Sequence, residues 1–314
     1  MTPGDVEAAV RRGVEYLATV QLPTGEFPSY ARAAASVESA GTLDGSPFVT
    51  TFALYALSLV PGAGTREMIA RGVRFLLDEQ EPPGLWRYWT KANPRPIDPD
   101  LDDTCCASFV LRWLEVPEFA GGNEAAILAN RAPSGLFHTW LREGARNDVD
   151  SVVNANVLLY LGERPETAAA CEILNQTLLR GMEERTYYYY LDPLALYYAV
   201  SRAWAHGAHG LERSRDTVVA RTLARQRADG GFGDNDLLAG LALCTLCNFG
   251  LAGSPQVARG IRRLVDVQRP DGSWGDHLFY AGPEPPSPHA FWWSSPALAA
   301  ALAVEALCKA TAGG

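Results

Sequence analysis

One short signature recurs along the chain and constrains its architecture more than any other feature. The stretches "QLPTGEF" (21–27), "QEPPGLW" (80–86), "QRADGGF" (226–232) and "QRPDGSW" (268–274) all read Gln-x-x-x-Gly-x-aromatic. Two weaker copies lie between the second and the third: "APSGLFHTW" (132–140) keeps Gly-x-aromatic, and "RTYYYYLDP" (185–193) keeps only the aromatics. Six similar units make a repeat architecture, in which each unit buries its apolar face against its neighbours.

Each unit reads as a pair of helices. Before the first signature, Val6, Val10, Val14 and Leu17 fall at spacings of 4, 4 and 3, one apolar stripe on a helix. Equivalent stretches are 66–79, 122–130, 166–182, 212–226 and 256–268. After each signature comes a more uniformly apolar segment: 47–60, 102–116, 149–161, 192–206, 236–250 and 295–309. Helices that are apolar all round are buried, and one-striped helices cover them. The prediction is therefore an all-α chain, an α6/α6 barrel of six helix pairs formed as one domain over 1–314. Strands have little room beyond short hairpin-like turns.

In such a barrel the inner helices enter from the same side, so their N-termini surround one mouth. The residues gathered there are Thr50 and Thr51; Asp98, Asp100, Asp102 and Asp103; Asp148, Asp150, Asn154 and Asn156; Tyr187 to Tyr190 and Asp192; Asp234 to Asp236; and His289, Trp292, Trp293, Ser294 and Ser295. Asp, Asn and Ser are favoured helix caps, which accounts for Asp236 and Ser295. Capping does not account for four aspartates in "IDPDLDDT" (97–104), nor for the aromatics beside them. A solvated acidic loop, a hard-cation site and a proton donor are the three readings of that cluster.

Composition narrows the classes. The apolar fraction of 47% and charged fraction of 20% are ordinary for a globular chain. With a formal charge of −9 and no basic stripe, nucleic acid is excluded as a partner. No run of about 18 apolar residues suggests a membrane span, and no basic-then-apolar leader opens the chain, so a cytoplasmic location is expected. The six cysteines sit mostly in apolar helical stretches and read as buried reduced thiols. Cys244 and Cys247 form a CxxC inside an apolar helix without a second ligand pair, so no zinc site is expected there.

At this point the chain resembles a known family. The Gln-x-x-x-Gly-x-Trp signatures are similar to the QW motifs of triterpene cyclases. "PDLDDT" (99–104) is similar to the Asp-x-Asp-Asp-Thr motif of class II terpene cyclases, the squalene–hopene cyclase-like enzymes and copalyl diphosphate cyclases among them. "NANVLLYL" (154–161) resembles the Asn-x-Asn-Val-Leu helix of diterpene cyclases, where a polar residue positions the acid. The resemblance implies an enzyme that protonates an alkene or epoxide of an isoprenoid and folds the cation into rings. It makes Asp102 the donor, Asp100 and Asp103 its polarising neighbours, and Asn154 or Asn156 its hydrogen-bond partner. Family members normally hold substrate between two barrels, whereas this chain has room for one. The cavity then lies within one mouth, or a second copy or a partner barrel completes it. No cofactor is needed for protonation, and Mg²⁺ enters only with a diphosphate substrate.

The chemistry fits that assignment. A free aspartic acid, with a pKa near 3.9, is ionised at neutral pH, but an ionised neighbour keeps a proton on its partner. Helix dipoles favour an anion, a demand that Asp100 or Asp103 can meet while Asp102 keeps its proton. A carbocation needs electron-rich walls, for which Trp89, Tyr188, Tyr190, Phe291, Trp292 and Trp293 are candidates, alternate tyrosines of 187–190 facing the cavity. His289 is a candidate terminal base, or is simply satisfied locally. Arg87, Lys91 and Arg95 could hold a phosphate or offset the acidic mouth. "NDVDSVVNA" (147–155) begins like the metal motif of ionisation-dependent terpene synthases but has Ala155 in place of its final Glu, so no metal ligand is assigned. The rivals are a carboxylate-dependent carbohydrate-active barrel and a non-catalytic isoprenoid-binding barrel. A zinc prenyltransferase would need an Asp-x-Cys ligand pair that is missing.

Overall fold

The computed structural model describes residues 2–142, 147–282 and 290–312. Among them twelve α-helices alternate between two roles. The outer set is α1 (Pro3–Val20), α3 (Ala63–Glu79), α5 (Glu124–Ala129), α7 (Ala168–Leu179), α9 (Glu212–Ala224) and α11 (Pro255–Val267), each buried along one stripe. The inner set is α2 (Pro47–Ser58), α4 (Leu101–Trp113), α6 (Ser151–Leu161), α8 (Pro193–Ala205), α10 (Asp236–Asn248) and α12 (Pro296–Ala312). Every residue of α6 is buried. The inner helices pack in the order α2, α4, α6, α8, α10, α12 and back to α2, so the ring closes. This is the α/α barrel that the repeat predicts.

Polar residues open the inner helices. Ser46, Asp100, Asp150, Asp192 and Asn235 accept first-turn backbone N–H groups, and Ser295 Oγ accepts from Leu298 N at 3.1 Å. Each cap satisfies a donor that a helix start leaves orphaned.

The signatures weld one outer helix to the next. Gln21 Nε2 donates to the carbonyl of Gly25 in its own turn and to that of Met68 in α3, both at 2.9 Å. Gln226 reaches Gly230 and Gln256 of α11 in the same way. Gln268 reaches Gly272 and returns to Ala9 of α1, closing the outer layer. The indoles of Trp86 and Trp274 are fully buried and donate to Leu76 and Leu264 carbonyls at 2.8 Å. The backbone N–H of a signature aromatic docks on the fourth residue of the following inner helix. Phe27 donates to Thr50, Trp86 to Thr104 and Phe137 to Asn154 at 2.8–3.0 Å.

One element departs from the all-helical expectation. Four short antiparallel strands, β1 (Tyr30–Arg32), β2 (Thr42–Leu43), β3 (Leu278–Gly282) and β4 (Phe291–Ser294), form a sheet in the order β2-β1-β4-β3. The register Tyr30↔Ser294, Ala31↔Trp293, Arg32↔Trp292 ties the first unit to the last. Trp292 and Trp293 therefore lie on a strand just before α12 rather than at its N-terminus. No described helix is long and apolar enough to cross a membrane. The cysteines are all free, and Cys244 lies in the core of α10.

The turn glycines are a sharp constraint. Gly272 has φ +89°, and a Cβ there would lie 2.2 Å from the Arg12 carbonyl oxygen. Gly272→Ala thus combines left-handed strain with a backbone clash. The expected loss is roughly 2 kcal/mol or more, read as a melting temperature several degrees lower. An unchanged melting curve would contradict the welding role of this turn.

Candidate active site

A cavity of about 1210 Å³ opens at the N-terminal ends of the inner helices. Its wall is largely aromatic. Phe48 comes from α2, Tyr88 and Trp89 from the loop before α4, Tyr188, Tyr189 and Tyr190 from the loop before α8, and Tyr280 and Trp293 from the sheet. The Tyr280 and Trp293 rings stack at 5.6 Å, Tyr88 meets both edge-on, and the Tyr88 and Tyr280 hydroxyls are 2.9 Å apart. Burial pushes the Tyr88, Tyr190 and Tyr280 phenols upward, so they stay neutral.

Asp100, Asp102 and Asp103 all line this cavity. Asp100 is the cap of α4, its Oδ1 accepting from Asp103 N at 2.8 Å. Asp102 follows in the first turn of the helix. Asn156 Nδ2 donates to its Oδ1 at 2.6 Å, and the Tyr190 hydroxyl donates to its Oδ2. Burial raises the Asp102 pKa, and the Tyr190 and Asn156 hydrogen bonds pull it part of the way back, to about 6. Asp100 Oδ2 and Asp103 Oδ1 are buried with no donor from elsewhere. Burial, then the neighbouring carboxyl charges, lifts both above the aspartate range, Asp103 well above it. For both, the shift favours the protonated, neutral form. Asp102 is the least raised of the three, so the direction of the shifts runs against the sequence expectation that Asp100 or Asp103 carries the charge while Asp102 keeps the proton. Among the described residues, two polar donors reach Asp102 and none from outside the cluster reaches the side chains of the pair, which is the physical reason.

The two asparagines separate cleanly. Asn156 faces the acid. Asn154 Oδ1 accepts from Phe137 N while its Nδ2 donates to the carbonyls of Phe137 and Asp150, the docking job that Thr50 and Thr104 do elsewhere. Asp150 is also buried and structural, accepting from Val152, Val153 and Tyr188 backbone N–H groups.

Other sequence candidates divide in the same way. Trp89, Tyr188, Tyr190, Phe291 and Trp293 line the cavity; Trp292 does not, because alternation along β4 turns it away from Trp293 and Phe291. Three consecutive tyrosines line it rather than alternate ones, since residues 188–190 bend instead of forming a regular strand. Arg87 and Lys91 lie outside the wall: Arg87 pairs with Glu81 at 3.1 Å, and Lys91 Nζ donates to the Asp78 and Gln80 carbonyls. Arg95 does line the cavity but is paired with Asp44. His289 lies outside the described residues. Among the described residues no group of three or more His, Cys, Asp or Glu is arranged to hold a metal ion.

Sequence reasoning missed Asp44, which is buried and accepts the indole N–H of Trp89 at 3.0 Å and of Trp293 at 2.8 Å. It also missed Tyr280, Thr139 and Trp140. The last two sit inside the weak signature "APSGLFHTW", the one signal that could have drawn attention to them.

No family model matches the chain. It is 29% identical to the drimenyl diphosphate synthase of Streptomyces showdoensis over 233 residues, 68% of this chain and 42% of that protein. The chain thus spans only 42% of the length of the curated relative it matches. Its fold is similar to that of MstE, a type II terpene cyclase from Scytonema solved as a variant with geranylgeranyl dihydroxybenzoate, its substrate. The TM-score is 0.75 at 18% identity, covering 99% of each chain. It is also similar to ent-copalyl diphosphate synthase from Streptomyces platensis, with a TM-score of 0.61 at 19% identity over 84% of this chain and 50% of that one. At these identities the structural likeness shows the fold.

The buried acid pair makes stability pH-dependent. A carboxyl whose folded pKa is raised costs stability as pH climbs above its unfolded value, because the unfolded chain ionises first. The cost grows by up to roughly 1.4 kcal/mol per pH unit for each such group. Asp103→Asn removes it, so its melting temperature should gain on wild type steadily from pH 5 to pH 8. A constant difference across that range would show that Asp103 is not held neutral.

Proposed function

We propose that this chain is a protonation-initiated, class II terpene cyclase-like enzyme with Asp102 as its general acid. The observation that carries this reading is Asp102 itself: a partly buried carboxyl held by Tyr190 and Asn156 in the wall of an aromatic cavity. Its relatives support the class, since a drimenyl diphosphate synthase matches in sequence and type II terpene cyclases match in fold. MstE, covered over 99% of its length, bears on how much chain such an enzyme needs. One barrel mouth of about 1210 Å³ is the site in this reading.

An alkene is a weak base, so its acid must satisfy two opposed demands. It must hold a proton near neutral pH, and it must release that proton without excessive cost. Burial works toward the first demand by raising Asp102 to about 6. A hydrocarbon chain entering the cavity excludes more water and raises it further. The Tyr190 and Asn156 donors meet the second by stabilising the carboxylate left behind, in the manner of an oxyanion hole. The neutral Asp100–Asp103 pair adds no repulsion to that anion. In the reaction the alkene π electrons take the Asp102 proton and leave a cation on the adjacent carbon. Further π bonds close rings onto it, and the last cation loses a proton or is captured. Tyr88, Trp89, Tyr280 and Trp293 face the migrating charge, each such contact contributing on the order of 1–2 kcal/mol when dry.

Asp102→Asn, incubated with farnesyl, geranylgeranyl and squalene-type substrates with and without Mg²⁺, is expected to yield no cyclised product. Product persisting in that variant would sink the assignment. Wild-type activity needs protonated Asp102, so it should fall as pH rises through the folded pKa, raised by substrate above about 6. Tyr190→Phe removes a bond that lowers this pKa, so the falling limb should move up by about one pH unit while the low-pH plateau drops. A variant with an unshifted limb would place the titrating group elsewhere.

A further inference from the structure

The mechanism above leaves one part of the cavity wall unused. Before α6 the chain doubles back so that Thr139 N donates to the Asp148 carbonyl at 2.9 Å, and His138, Thr139 and Asp148 all line the cavity. Each carries a buried polar atom without a partner: His138 Nδ1, Thr139 Oγ1 and Asp148 Oδ1. Thr139 is only 3% exposed. Buried polar atoms are almost always hydrogen-bonded, and each one left alone is costly. Three together on a cavity wall mark a place where a ligand completes the set.

The remaining bonds define what that ligand offers. The Trp140 indole donates to the Tyr189 hydroxyl at 3.1 Å, and Tyr189 donates to Asp148 Oδ2 at 2.7 Å. Asp148 is thus oriented through Oδ2, while its Oδ1, in a residue of the cavity wall, is buried and has no donor. Tyr189 holds Asp148 and its neighbour Tyr190 holds Asp102, so two consecutive residues link this place to the acid. The cations in the described wall are already engaged. Arg95 is paired with Asp44 and lies 3.9 Å over Trp89; Arg142 lies 3.7 Å from Asp98 and over the Trp140 ring. A diphosphate here would set its charge against an open carboxylate oxygen, with both arginines committed elsewhere.

We propose that His138, Thr139 and Asp148 form a head-group subsite for a non-phosphorylated, hydrogen-bond-donating group, a hydroxyl or phenol at the end of the prenyl chain. The group donates to Asp148 Oδ1, and its oxygen accepts a hydrogen bond from the Thr139 hydroxyl or the His138 Nδ1–H. This deepens the cyclase reading and rests on it, because the bound head group fixes which alkene reaches Asp102.

The test uses the Asp102→Asn protein, which binds without turnover, and follows quenching of the cavity tryptophans by geranylgeraniol and by geranylgeranyl diphosphate with Mg²⁺. The alcohol is expected to bind at least tenfold more tightly. Adding Asp148→Asn, or Thr139→Val as the milder change of near-identical shape, should weaken the alcohol at least fivefold and leave the diphosphate unchanged or improved. Tighter or equal binding of the diphosphate overturns the proposal, as does an alcohol affinity that neither variant moves. Turnover by the wild-type protein is read separately. The expected binding pattern without cyclised product would retire the cyclase reading and leave the subsite standing, whereas product from the diphosphate alone would retire the subsite.

Discussion

The outer layer of this barrel is tied together by one kind of side-chain amide, that of the signature glutamines. Gln21, Gln226 and Gln268 each bond a carbonyl of their own turn and a carbonyl of the next outer helix, and the last of them returns to α1. Where Gln80 makes no such pair of bonds, Asn123 at the start of α5 donates to the Gly84 carbonyl instead, at 2.6 Å. The following inner helices are docked separately, by backbone bonds from Phe27, Trp86 and Phe137 to Thr50, Thr104 and Asn154, and six capped N-termini lie at one end. A cavity at that end is a consequence of the closure. Short loops and the small sheet then furnish it with side chains that the helices could not supply.

The same geometry decides the electrostatics. Helix N-termini favour anions, yet burial raises every carboxyl of the α4 start. Burial wins because Asp100 and Asp103 are only 3% exposed and desolvation outweighs the dipole there. What then separates three nearly equivalent aspartates is the count of donors within reach. Asp102 has two side-chain donors from other elements, while Asp100 and Asp103 have chiefly each other. An acid of useful strength emerges from the contrast between a held anion and a neutral pair beside it. Asp44 plays a quieter part by fixing two indole rings of the wall through one carboxylate oxygen.

Much of this was legible in the chain, and the parts that were not share a cause. The Gln-x-x-x-Gly-x-aromatic spacing encodes local turns, which is why all six helix pairs and their caps follow from it. Asn154 could have been read as structural, since counting from each helix start aligns it with Thr50 and Thr104. The acidity order could not, because it depends on Tyr190 reaching Asp102 across 88 positions. Arg87 and Lys91 look like anion ligands in a linear reading, but each finds a partner on the outer surface of the barrel first. Trp292 and Trp293 are equivalent in composition and opposite in facing, and only the strand register tells them apart.

By itself, then, the sequence determined the repeat, the alternation of striped and all-apolar helices, the caps, and the crowding of aspartates at one helix start. Those features rest on interactions within a few residues, where spacing is enough. Tertiary structure alone decided which aspartate is held by donors, which aromatics wall the cavity and which polar atoms there remain open. Each of those depends on how far loops from different units reach across the mouth, a distance that no spacing along the chain records.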